Sequence, residues 1–486
     1  MLIGILIIAI FLRFYHFNTT PPGLYPDEAM NGNNATEVAE TGHFKVFYPE
    51  DNGREGLYVN LVAVAIDTFH AYEPWVVRLP AAIAGVLTVW GLYLLVAELF
   101  GTGPGLLAAF LLATSFWGII FSRIGFRAIL APLLLVWTLW LIIKAFRSDN
   151  KRAATLYAIF AGIVYGLGFY TYIAYRITPI LFLLFIPFFR KFPDFWKRTG
   201  FFIITTFIVA APIGWYFATT PGSFFGRTAQ IAVTAASNPV RDFAINTTKE
   251  LLMFNYHGDY NWRQNISGAP ELFWPVGILF VLGIILAIYF LIRYARKKYV
   301  TAENKNLFPL FGILLTFAWF IFGILPAAAS DEGIPHALRS ILALPPALIF
   351  ASLGGVWLYR VIKKHWHENI AKPLAAVFIV IVAIFGYYSY FVVWAQNPNV
   401  PGAFSANYVD IGRQINALPT STPKYVIVNA GGVLARGIPV PAETTMFITH
   451  SFTAADAAAA NIHYLLPNQA SEIPARTPSN DIFYIN

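Results

Sequence analysis

Apolar stretches of about 20 residues recur along most of this chain, each long enough to cross a hydrocarbon core roughly 30 Å thick. That repetition leaves few folds open. Within a bilayer only helices and closed barrels satisfy every backbone N–H and C=O, and barrel strands are shorter and alternate in polarity. The chain therefore reads as a polytopic α-helical membrane protein, in keeping with a mean hydropathy of +0.60. Spans are expected near 1–13, 76–99, 104–122, 126–146, 153–172, 176–189, 199–218, 274–293, 308–327, 339–359 and 373–394, about eleven transmembrane helices in all.

Charge tests the count. Lys144/Arg147/Lys151/Arg152, Arg190/Lys191/Lys197/Arg198, Arg293/Arg296/Lys297/Lys298 and Arg360/Lys363/Lys364 fall on one side when the expected spans are threaded in order. The positive-inside rule makes that side the cytoplasm of a plasma membrane. A first outer loop at about 18–75, a second at about 219–273, the turn 328–338 and everything after Trp394 then face outward. The net charge of +8 is thus a topology signal and not a phosphate-binding face, which excludes nucleic acid as a partner. With no cysteine, disulfides, thiolate chemistry and cysteine metal sites are excluded together. Met1 to Leu12 has neither a basic leader nor a small-residue cleavage site, so it is read as the first span.

After Trp394 the composition turns polar. A helix is expected near 405–417, strands at 425–428, 445–449 and 482–485, and a helix at 453–460. Residues 395–486 therefore read as a small extracytoplasmic C-terminal α/β domain, and residues 1–394 as the transmembrane catalytic domain. The tail carries no metal spacing, phosphate loop or nucleophile elbow, and is expected to touch a partner or cover the site.

The chemistry sits at the membrane boundary. Pro21-Pro22-Gly23-Leu24-Tyr25-Pro26-Asp27-Glu28-Ala29 places two carboxylates just past the first span, at the start of a helix expected near 28–41. Carboxylates favour helix N-termini, so capping explains the pair as well as a general base does. Glu50-Asp51-Asn52-Gly53-Arg54-Glu55 follows as a turn leading into an amphipathic helix near 55–70, and capping is again the simpler account. Arg78, Arg123, Arg127, Arg176 and Arg339 gather in the same outer layer, against the trend of basic residues inward. Snorkelling explains any one of them. Together, arginines and carboxylates in one layer suit an anionic, lipid-linked substrate, because guanidinium groups bind phosphate oxygens in bidentate fashion. His365 and His367 beside Lys363 and Lys364 read as solvated juxtamembrane charge, with no metal site indicated.

Leu12-Arg13-Phe14-Tyr15, the Pro-Pro-Gly-Leu-Tyr-Pro-Asp27-Glu28-Ala run, Arg54-Glu55-Gly-Leu, Val77-Arg78-Leu-Pro and Phe-Ser-Arg123 together resemble the GT-C membrane glycosyltransferases. The nearest branch holds the protein O-mannosyltransferases and the lipid A aminoarabinose transferase. The resemblance runs over roughly residues 10 to 360 and leaves the tail outside. It implies inverting transfer of a sugar from a polyprenyl-phosphate carrier to a glycan, lipid or protein acceptor on the outer face. Asp27 matches the family's first-loop acidic residue, with Glu28 beside it and Glu55 as a second. Arg54, Glu55 and Tyr172 become candidates for substrate contact. Arg78, Arg123, Arg176, His336 and Arg339 become candidates for the carrier phosphate. No cofactor is required; a divalent metal is possible but not indicated. The 219–273 loop is too short for the extra lumenal domain of protein mannosyltransferases, which points away from a protein acceptor.

Two other classes handle the same lipids. A lipid-linked saccharide flippase would place charge or broken helices at mid-membrane and show an internal repeat, and none is seen. An O-antigen ligase or polymerase depends on a large late outer loop, whereas the acidic pair here lies in the first.

Overall fold

The computed structural model describes residues 1–226, 230, 232–235, 237–296, 307–473 and 481–486; Lys297 and Lys298 of the third basic cluster lie outside the described residues. The chain divides into two compact units. One comprises Met1–Tyr15, Ile83–Ser122 and Ala128–Trp394; the other comprises His16–Ala82, Arg123–Arg127 and Ala395–Asn486.

The first unit is helical. Among the described residues, seven helices are long and apolar enough to cross a membrane: Pro74–Phe100, which runs into this unit from the other, Arg127–Arg147, Phe195–Thr219, Trp274–Arg296, Phe308–Ala328, Ile341–Trp366 and Glu368–Trp394. Helix Lys151–Gly168 packs against both Leu130–Arg147 and Phe195–Thr219. Phe207, Ile208 and Trp215 of Phe195–Thr219 remain exposed, an apolar surface that suits hydrocarbon and not water.

Two expected spans are broken. The 104–122 stretch forms helix Thr102–Thr114 and then Phe116–Phe121, with extended Ser115 between them accepting from the Gly118 N–H at 3.0 Å. Arg13, buried in the apolar helix Leu2–Phe14, accounts for the break. It donates to the carbonyls of Ala113 at 3.0 Å and Leu112 at 3.2 Å, the groups a helix end leaves without partners. The 176–189 stretch is not one helix. A 3-10 turn, Ile173–Ile177, leads to the short helices Pro179–Phe182 and Phe185–Phe189. Pro179 and Pro187 each remove a donor that a continuous helix needs. At the other end, Glu368–Tyr387 widens into a π-helical turn, Tyr388–Trp394.

The second unit joins the first loop to the tail. Helix Pro26–Thr41 is followed by a short antiparallel pair, Phe47–Tyr48 with Arg54–Glu55, and then by helix Leu57–Phe69. The pair turns at Asp51, Asn52 and Gly53, all with positive φ. In the tail, helix Ala406–Asn416 packs on Glu443–Ile448. Lys424–Val428 is the centre of a three-stranded parallel sheet between Ile462–Leu465 and Asp481–Ile485, with Val426 opposite both Tyr464 and Phe483. The strand expected at 445–449 is instead part of helix Glu443–Ile448. Every residue of that helix is buried, and the Thr444 and Thr445 hydroxyls bond to the carbonyls of Leu24 and Tyr408, so packing on all sides overrides the β-branched pattern. Ile462–Leu465 was not foreseen as a strand.

Candidate active site

Pro26 opens its helix at a position where the missing N–H costs nothing. The helix is polar yet buried: Glu28, Asn31, Asn33, Asn34 and Thr36 all lie inside. Buried polar groups need partners, and those partners build the site.

Glu28 is fully buried and saturated. Its Oε1 accepts from Arg78 Nε at 2.8 Å and from the Gly125 N–H at 2.6 Å; Oε2 accepts from Arg78 Nη2 at 3.0 Å and from the Tyr25 N–H at 3.1 Å. The last bond caps the helix from its third residue. Arg78 also donates to the carbonyls of Pro21 and Gly23, at 2.7 and 2.8 Å, and is 1% exposed. Both oxygens of the Glu28 carboxylate are bonded and no solvent reaches it, and four N–H groups of Arg78 are committed within the loop.

Asp27 differs from its neighbour. Its side chain is 48% exposed, against 0% for Glu28, 3% for Glu55 and 12% for Asp51. Arg54 holds the turn beneath it: Nη1 donates to the Asp27 carbonyl at 3.0 Å and to Asn31 Oδ1 at 3.1 Å, and Nη2 lies 3.9 Å from Asp27 Oδ1. Arg54 also pairs with Asp51. Successive strand residues point to opposite faces, so Glu55 leaves Arg54 behind and pairs instead with Arg127 Nε at 3.0 Å. Arg123 is buried, donates to the Thr20 carbonyl at 2.8 Å and lies over the Phe17 ring. Asp27, Glu28, Arg54, Glu55, Arg78 and Arg123 thus share one unit.

Tyr172, Arg176, His336 and Arg339 belong to the other unit. Arg176, partly exposed, sits between the rings of Phe217 and Phe224 and donates to the Phe224 carbonyl. Tyr172 is half-buried just ahead of the 3-10 turn that carries Arg176. Arg339 donates to Ser330 Oγ at 2.7 Å and to the Glu332 carbonyl at 2.6 Å. Three acceptors cap the turn ahead of it: Glu250 takes the His336 N–H, Asp259 the Ala337 N–H and Gln264 the Leu338 N–H, at 2.8, 2.8 and 3.1 Å. Burial pushes Glu250 up to about 7 and Asp259 up to about 6, each against hydrogen bonds that pull down. Burial, with Arg339 and Arg263 nearby, pulls His336 down to about 3.

Among the described residues, one group offers three ligand atoms near one point, within 4.8 Å of one another: Glu40, His450 and Asp456. It is partly exposed, and Glu40 and His450 already bond to each other at 2.5 Å.

Comparison with known proteins places this architecture. The family model for dolichyl-phosphate-mannose-protein mannosyltransferase matches residues 61–216. ArnT from Cupriavidus metallidurans bound to undecaprenyl phosphate superposes with a TM-score of 0.56 at 13% identity, over 95% of this chain and 89% of ArnT. The chain shares the fold of ArnT. The Archaeoglobus fulgidus oligosaccharyltransferase in its apo form matches with a TM-score of 0.54 at 15% identity, over 92% of this chain and 63% of its own. The same organism's AglB, solved with an inhibitory peptide and a dolichol-phosphate, matches at 0.54 and 14%, over 97% and 70%. No curated protein sequence matches. The matched segment holds Arg78, Arg123, Tyr172 and Arg176, while Asp27, Glu28, Arg54 and Glu55 precede it.

Sequence reasoning missed Asn31, Asn33, Glu443 and the buried carboxyls Glu250, Asp259 and Glu271. The Met30-Asn31-Gly32-Asn33-Asn34 run was a usable signal, since asparagine is a poor helix former and its presence mid-helix asks for specific partners.

Proposed function

We propose that this GT-C protein is a membrane glycosyltransferase that takes its sugar from a polyprenyl-phosphate carrier and passes it, with inversion, to an acceptor on the outer face of the cytoplasmic membrane. The mannosyltransferase family model and the shared fold support the transferase class. Asp27 is the general base of this reading. One observation carries it: of the four carboxylates Asp27, Glu28, Asp51 and Glu55, Asp27 is the one that solvent reaches readily, while Glu28 and Glu55 are buried against arginines and Asp51 is half-buried against Arg54. The acceptor hydroxyl loses its proton to Asp27 as its oxygen attacks the anomeric carbon, and the carrier phosphate departs as an anion. Arg54 keeps the first turn of the Asp27 helix in place, and the Glu28–Arg78 pair anchors it. For the carrier phosphate we favour Arg176, which is partly exposed and lies against two aromatic rings, with Arg123 and Arg339 as further candidates; the bonds Arg78 makes within the loop weigh against it, and burial weighs against His336. Glu55 and Tyr172 are proposed to contact substrate. The sugar is a hexose or pentose, and the acceptor a glycan, lipid or protein.

Purified protein supplied with radiolabelled polyprenyl-phosphate mannose and membranes carrying the natural acceptor tests this. Release of polyprenyl phosphate identifies a transferase; movement of intact carrier across vesicles without cleavage identifies a flippase instead. Asp27→Asn is expected to lower turnover by about 10²-fold or more, in line with loss of a general base, with carrier binding unchanged. Near-normal turnover in that variant removes Asp27 from the role.

A further inference from the structure

The C-terminal segment touches the Asp27 helix on both sides of the carboxylate pair. Upstream, the Thr444 hydroxyl donates to the Leu24 carbonyl at 2.8 Å. Gly23 lies so close under residues 404–406 that a Cβ there would fall 2.6 Å from Ala406 Cα. Downstream, Asn33 Nδ2 donates to Glu443 twice, to its backbone carbonyl at 3.0 Å and to Oε2 at 2.7 Å. Gly32 has no room for a side chain either: a Cβ would fall 2.7 Å from the Phe447 ring. The Phe404 ring lies 5.7 Å from the Arg78 guanidinium that holds Glu28. Every one of these contacts is buried or half-buried, and they run from residue 23, just ahead of the helix, to residue 33 within it.

We propose that the C-terminal segment is a positioning element for Asp27, with Glu443 as the residue through which it fixes the Asp27 helix. This rests on the reading of Asp27 as base. Glu443 touches no reacting atom in this scheme; it acts through Asn33 and the helix backbone. A buried carboxyl is a costly choice where only packing is needed, and Glu443 is fully buried with Oε1 lacking a hydrogen-bond partner among the described residues. The groups facing it come from separate parts of the unit: Asn33 from the helix, Arg54 and Asp51 from the short strand pair and its turn, Arg436 and Tyr464 from the tail. Burial pushes its carboxyl up to about 7, against the pull of Asn33, Arg54 and Arg436, so the amide of glutamine is a fair replacement for it. Arg436 adds a rim pair to Glu37 at 2.7 Å, and Arg413 one to Glu73 at 3.0 Å, both more exposed and worth less.

The test uses the full chain in detergent and two readouts. Hydrogen exchange of peptides covering 24–36 reports the clamp directly, whatever Asp27 does. Turnover of radiolabelled polyprenyl-phosphate mannose reports positioning. Glu443→Ala is expected to speed exchange in 24–36 by about tenfold, the effect of losing the one buried hydrogen bond to Oε2. It is expected to lower kcat by about tenfold with KM for the carrier within about twofold, the signature of a group misplaced in the transition state only. Glu443→Gln, which still accepts from Asn33, is expected to restore both. Unchanged exchange in Glu443→Ala overturns the clamp, and faster exchange with unchanged kcat overturns the positioning role. Should Glu443→Ala not fold, Thr444→Val removes the Leu24 bond alone and is read by the same two criteria. An active Asp27→Asn variant defeats the base assignment separately, and the exchange result still decides the clamp.

Discussion

Removing Glu28 should unfold this protein before it reveals anything about chemistry. Arg78 and Glu28 meet at 2.8 and 3.0 Å with side-chain exposures of 1% and 0%. At that separation the Coulomb attraction is about 6 kcal/mol for an effective dielectric of 20. Much of it is offset by desolvating both ions, so the pair adds little net stability, but deleting one partner strands the other and costs about 3–5 kcal/mol. Glu28→Ala also orphans the N–H groups of Gly125 and Tyr25, at about 1–3 kcal/mol each. The sum approaches the total stability of an ordinary domain, about 5–15 kcal/mol. The assay is thermal unfolding in detergent, followed by tryptophan fluorescence or by aggregation. Glu28→Ala should yield little folded protein, while Glu28→Leu combined with Arg78→Met, which removes both charges at similar volume, should recover much of the loss. Asp27→Asn should unfold at the wild-type temperature. A Glu28→Ala protein with a normal unfolding temperature and no turnover would refute the reasoning and return Glu28 to the chemistry.

Two further outcomes are expected. Glu250 is held at about 7 against an ordinary 4.5, so its burial costs nothing at acid pH and destabilises the fold as pH rises through 7; relative to wild type, Glu250→Gln should gain stability from pH 5 to 8, by up to about 3 kcal/mol, read as the difference in unfolding temperature at each pH. His336, lowered to about 3, works the other way and loses its contribution as pH falls below 6.5, but it is common to both proteins and cancels in that difference. In the reaction, the acidic residues flanking Asp27 already have arginine partners, so turnover should survive a chelator such as EDTA unchanged; a chelator-sensitive rate restored by a divalent ion would assign a metal a part in the transfer.

Much of the membrane architecture was legible because its cause is local. Length and apolarity mark a span without reference to anything else, and the helices at Trp274–Arg296 and Leu344–Trp366 fall where hydropathy puts them. The break at Ser115 was not legible, because it depends on Arg13 reaching carbonyls 99 and 100 residues away. The Asp27-Glu28 pair was visible as a pair, with capping and catalysis equally good accounts of it. Burial divides them: Glu28 caps and anchors, while Asp27 stays exposed. That division needed Arg78 and Gly125, which no local pattern connects to Glu28. Segment 445–449 read as a strand because its β-branched residues were judged alone, whereas its conformation is set by the first loop packed around it. Asn33 and Glu443 stand 410 positions apart and meet only in the folded chain.

The unit that holds Asp27 is assembled from the beginning of the chain, a five-residue piece, Arg123–Arg127, and the stretch after Trp394. A ribosome delivers these pieces at widely separated times. The first loop is made early with a polar helix whose Asn33 and Gly32 have nothing to rest against, and these neighbours arrive only when residues 404–447 have been synthesised. The edge strand of the tail sheet, Asp481–Ile485, follows later still. The cell therefore holds a membrane-inserted chain with an unfinished first loop through much of its synthesis. The carboxylate proposed as the base acquires its fixed surroundings only once these later residues have folded against the first loop.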